Sequence, residues 1–74
     1  MLKMNQKLKG TFSNGATIDA VVTNIEPSPL FEGDEDVTLD CVLRENGETR
    51  NFVRRITNSD TPTLTSAGET VKLS

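Results

Sequence analysis

The chain has 74 residues, no histidine, one cysteine, three phenylalanines, no tryptophan or tyrosine, and a net charge of −3. A single thiol excludes an intrachain disulfide. Without histidine there is neither a four-ligand Cys/His zinc site nor a Cys–His or Ser–His catalytic pair. The acidic balance supplies no broad basic field for nucleic acid or an anionic membrane, and no run approaches the roughly 18 apolar residues of a membrane span.

A chain this short is read as one domain, residues 7–74, behind a flexible end at residues 1–6. It buries only roughly 60% of its unfolded surface. With no disulfide or structural metal, the expected outside support is self-association into a homo-oligomer or packing on a partner. An unpaired Cys41 suits a reducing compartment, and residues 1–10 carry lysines without an apolar segment, unlike a secretory signal. The expected location is the cytoplasm or the interior of an infected host cell.

In chain order, residues 7–12 (KLKGTF) alternate Leu8 and Phe12 with polar side chains and predict a strand, within which Gly10 marks a bulge or a close backbone approach. Asn14-Gly15 is a tight-turn signal. Residues 17–26 predict a second strand with Ile18, Ala20 and Val22 on one face and Val21 and Ile25 on the other, the pattern of a central or strongly bent strand. Pro27 and Pro29 end it. Residues 28–36 form a loop with an acidic tip. Residues 37–45 alternate Val37, Leu39, Cys41 and Leu43 and predict the clearest strand. Asn46-Gly47 turns it into a fourth strand over 49–56. Residues 57–69 read as loop with a short extended piece near 63–65, and residues 70–74 as a closing strand with Val71 and Leu73 inward.

Five short antiparallel strands predict an all-β fold, an SH3-like barrel, with a small β-sandwich completed by oligomerisation as the alternative. Residues 8–12 (LKGTF) and 53–56 (VRRI) resemble the opening and the later arginine-containing motif of Sm-like barrels. The acidic residue and Met-Asn pair expected after that opening are absent around Ala16, and Ile56 follows Arg55 where that family has glycine, so no family residue is carried over.

Few groups here carry chemistry. Asp34, Asp36, Thr38, Asp40 and Glu45 have the spacing of a calcium loop, but Leu39 stands where the loop requires glycine, and the stretch alternates like a strand. Cys41 shares a face with Leu39 and Leu43 and reads as a small buried apolar residue. No metal, cofactor or catalytic group is implied, and the chain is read as a non-enzyme.

The arginines of the 42–55 hairpin are the residues to place. A two-residue turn at Asn46-Gly47 sets Cys41 against Phe52, Val37 against Ile56, and Leu39 and Leu43 against Arg54 and Arg50. A three-residue loop would instead set Phe52 against Asp40 and split the apolar set. The first register is preferred. It directs Arg50 and Arg54 inward on either side of Phe52 and leaves Arg55 outside, near Thr38 and Asp40. These arginines either pair with the chain's own acids, such as Asp40 or the 32–36 tip, or form an Arg-Phe-Arg surface for a partner. The reading is a binding and assembly module working through protein–protein contacts at Arg50, Phe52, Arg54 and Arg55. Its composition suits a phage or mobile-element accessory protein, such as a virion component or an inhibitor of a host complex. The alternative is a barrel binding a nucleotide or single-stranded nucleic acid through the same strand.

Overall fold

A computed structural model describes residues 1–74. Six strands follow in order: β1 (Lys7–Thr11), β2 (Thr17–Pro27), β3 (Glu35–Glu45), β4 (Glu48–Thr57), β5 (Thr63–Ser66) and β6 (Glu69–Lys72). The first four make one antiparallel sheet in the order β1-β2-β3-β4, and β5 and β6 make a separate antiparallel hairpin. The fold is all-β, as the alternating apolar runs predict, but it has six strands rather than five. The two sheets do not close on one another.

The core lies on one face of the larger sheet. Ile18, Ala20 and Val22 of β2 stand opposite Leu43, Cys41 and Leu39 of β3, and all six are buried. The β2–β3 register then shifts between Val22 and Asn24, leaving Thr23 as an extra residue. Such a bulge reverses the face of every side chain after it and bends the strand. Ile25 therefore stands opposite Val37 and packs against the same core as Val22. The simple alternation that placed Ile25 on Val21's face is corrected by this one inserted residue.

Turn chemistry sets the remaining registers. Asn46 and Gly47 both have positive φ, 52° and 78°, and connect the paired Glu45 and Glu48 as a two-residue turn of the type that suits twisted hairpins. The other Asn-Gly behaves differently. Phe12 N–H donates to the Ala16 carbonyl and Gly15 N–H to the Phe12 carbonyl, so the loop holds three residues, with Gly15 in the left-handed position at φ 88°. Ala67 and Gly68 form a further two-residue turn between Ser66 and Glu69. That turn makes a hairpin of a stretch whose first part reads as loop.

The C-terminal hairpin is joined to the free edge of β1. Lys9 and Ser74 exchange both backbone hydrogen bonds, at 2.8 and 2.9 Å. Further along, the Glu69 carboxylate accepts from the Ser13 backbone N–H and hydroxyl. Gly10 allows this approach: a Cβ there would lie 3.0 Å from both Ile18 Cγ2 and Leu73 Cδ2. Leu64 and Leu73 are thereby buried against the sheet.

Residues 1–6, read from sequence as a loose end, form a turn against this body. Leu2 is buried, Asn5 N–H donates to the Val22 carbonyl, and Val22 N–H donates to the Gln6 carbonyl. Asn58 is the one buried polar residue. Its side chain accepts from Leu2 N–H and donates to the Glu35 carboxylate, each at 2.9 Å, while its own N–H donates to the Glu35 carbonyl. Asn58→Ala should leave Leu2 N–H unpaired and cost about 2 kcal/mol. A lower urea midpoint with an unchanged slope would show it.

Candidate functional site

Pairing of β3 with β4 sets Val37 opposite Ile56, Leu39 opposite Arg54, Cys41 opposite Phe52 and Leu43 opposite Arg50. The Asn46-Gly47 turn thus produces the register expected of it. Arg50, Phe52, Arg54 and Ile56 share the face that β3 devotes to the core, and Arg55 lies on the other face opposite Thr38. Yet Arg50 and Arg54 are exposed, and Phe52 and Ile56 only partly buried. The hairpin β5–β6 covers the β1 side of the core and stops short of β4. No Cα of β4 lies within 8 Å of a Cα of β5.

A groove of about 410 Å³ runs between the two strands. Leu43, Phe52 and Leu64 give it an apolar base, Arg50, Asn51 and Arg54 line it from β4, and Thr65 and Ser66 line it from β5. The residues singled out from sequence therefore divide. Arg50, Phe52 and Arg54 come together in the groove, and Arg55 stands on the opposite face. The extended piece expected near 63–65 is β5, and the structure adds that its Leu64, Thr65 and Ser66 face β4 across the groove.

The structure also shows where the acids go. The single ion pair joins the exposed Arg44 to the half-buried Asp19. Glu35 is taken up by Asn58, Asp34 by Ser59 and the Glu35 N–H, Glu45 by Asn14, and Glu69 by Ser13. Arg50, Arg54 and Arg55 form no salt bridge, and their side chains make no hydrogen bond. The alternative in which these cations pair with Asp40 or the 32–36 tip is not the arrangement adopted.

Cys41 is buried, its thiol 3.9 Å from the Leu39 carbonyl. Burial pushes its pKa up, the nearby Arg54 guanidinium draws it partly back, and Asp40 adds to the rise. The thiol is thus a packing group, and Arg54 is close enough to act on it electrostatically.

No protein-family model, curated protein or solved structure shows significant similarity to the chain.

Because Arg54 has no internal partner, Arg54→Ala should change unfolding free energy by less than about 0.5 kcal/mol. A loss well above that in urea titration would mean that the guanidinium is paired in solution. For Cys41, the raised folded pKa stabilises the fold below the unfolded thiol pKa, and this contribution is lost as pH rises through the folded value. Unfolding free energy should therefore fall across the alkaline thiol range more steeply in the native chain than in Cys41→Ala, and a disulfide reagent should leave the folded thiol unmodified near neutral pH.

Proposed function

We propose that this chain is a non-enzymatic binding module, an SH3-like barrel left open at one seam, which engages an acidic protein partner through β4. Arg50, Phe52 and Arg54 make the contact, and Arg55 adds positive charge on the opposite face. The observation that supports this most directly is the absence of any internal partner for Arg50 and Arg54 on a core-facing strand of an acidic chain. Apolar side chains buried at those positions would each contribute roughly 1.5–3 kcal/mol. Keeping guanidinium groups there gives up that stabilisation and retains ten N–H donors in planar forks that fit carboxylates.

The partner's chemistry follows from the surroundings. Single-strand grooves pair a basic field with several stacking rings. Here one phenylalanine lies between two arginines, in a chain of net charge −3. Isolated carboxylates beside an apolar group match that arrangement better than a continuous phosphate backbone does.

The reading is tested by titrating ¹⁵N-labelled chain with poly-L-glutamate and, separately, with oligo-dT. Poly-L-glutamate should shift the resonances of Arg50, Phe52, Arg54 and Leu64, with an affinity that falls as salt rises. Replacing both Arg50 and Arg54 by Ala should weaken it at least about tenfold, the loss of one charge-assisted hydrogen bond or more. Tighter binding of oligo-dT at equal salt would overturn the choice of a protein partner.

A further inference from the structure

We propose that the groove is a strand-addition site: β4 takes an extended acidic segment of the partner as a further antiparallel or parallel strand, in the gap between β4 and β5. This rests on the protein-binding reading above and specifies its mode.

The backbone supports it first. A two-residue turn makes its flanking residues, Glu45 and Glu48, exchange both backbone hydrogen bonds. Alternation then gives Arg50, Phe52 and Arg54 to the β3 ladder and turns the N–H and C=O groups of Thr49, Asn51, Val53 and Arg55 away from it. None of these four takes part in the 12 backbone hydrogen bonds formed outside the strand ladders. The same reasoning at the Ala67-Gly68 turn directs Thr63 and Thr65 of β5 outward, and these too have no backbone partner. The gap is thus bordered on both sides by unpaired strand backbone. Adjacent strands sit about 4.8 Å apart, and β4 and β5 are separated by more than 8 Å between Cα atoms. The separation is too wide for direct pairing, so the outer edge of β4 is left open to an added strand.

The side chains then select what enters. A strand laid beside β4 presents alternate side chains to the inner face, next to Arg50, Phe52 and Arg54. The favoured segment carries an acid, an apolar residue and a second acid at every other position. That pattern reads identically in both chain directions, so it does not depend on which way the segment runs.

Two occupants from a second copy fit less well. Symmetric pairing of two β4 strands about Phe52 sets Arg50 against Arg54 twice, and like charges directly opposite destabilise a strand pair. The acidic tip of a second copy is already engaged: Glu35 and Asp36 pair with Pro27 and Glu26 of β2, and Ser28 N–H closes the loop on the Asp34 carbonyl. Inward-facing charges on an edge strand discourage self-pairing, and in this position they also admit a strand of opposite charge.

The test uses the full chain and a synthetic peptide with the core Glu-Thr-Val-Thr-Glu. On binding, the amides of Thr49, Asn51, Val53 and Arg55 should gain at least about tenfold protection from hydrogen exchange, while Arg50, Phe52 and Arg54, already paired, gain little. Asn51→Pro removes an N–H that faces the gap and leaves the β3 ladder intact. It should keep the urea midpoint and weaken the peptide at least about tenfold. If that variant does not fold, the peptide N-methylated at its three central residues gives the same test on the native chain, since it retains both acids and cannot pair. Strand addition is overturned if the methylated peptide binds as well as the parent, or if binding shifts only arginine side chains without protecting the four amides. In that case the acidic-partner reading stands. Failure of any acidic peptide to bind removes both. Protection of the same amides in the free chain that is lost on dilution, or their protection by oligo-dT, would assign the gap to a second copy or to nucleic acid and overturn the proposal.

Discussion

Asn58 decides where the chain goes after β4. Its backbone N–H is held by the Glu35 carbonyl, and its side chain is shared between Leu2 and Glu35. One buried amide thus ties the N-terminal turn, the start of β3 and the end of β4. A buried amide of this kind is stable only when its partners are all present, so the clamp closes as a unit. With β4 stopped there, the chain turns through Asp60 N–H to the Thr57 carbonyl, reaches Pro62 beside Leu73, and enters β5. The closing hairpin is delivered to β1 at the far edge, not to β4. The vacancy beside β4 follows from that delivery.

The far edge is well prepared to receive the hairpin. Gly10 has no Cβ, so Leu73 and Val71 settle directly above it, and Ser74 bonds to Lys9 at the same place. The Glu69 carboxylate holds the other end on Ser13. On this side the edge is paired, packed and capped. On the β4 side there is none of this. Two arginines stand where Leu39 and Leu43 would otherwise meet apolar partners, and Val53 is 62% exposed on the outer face. The two ends of one sheet are finished by opposite means, one by contact and one by charge.

That asymmetry gives the arginines two roles from a single property. An unfinished strand edge invites pairing with any available strand. Positive charge on its inner face makes the edge unattractive to a copy of itself and attractive to a segment of opposite sign. Under the proposed strand addition, specificity comes from what is rejected as much as from what is bound. The core is carried instead by the β2–β3 pair, where Ile18, Val22, Val37 and Leu39 are fully buried.

The sequence by itself determined the class of fold, the strand-forming segments up to Thr57, the extended piece near 63–65, the closing strand and the β3–β4 register. These depend on local period and on a turn that permits only one pairing, and Asn46-Gly47 with its flanking apolar alternation carries that information within residues 37–56. It therefore also determined that Arg50, Phe52 and Arg54 share a face and that Arg55 does not. Tertiary structure decided the rest. The bulge at Thr23 arises because two curved strands must keep one continuous core, a demand that no local pattern states. The three-residue form of the Asn14 turn depends on how Phe12 and Ala16 meet. Whether Arg54 finds an internal acid was also beyond local reading: it turns on where Asn58 sends β5 and on which hydroxyls and amides reach the carboxylates first. Period and turn type are properties of neighbours in the chain, whereas partnership is a property of neighbours in space.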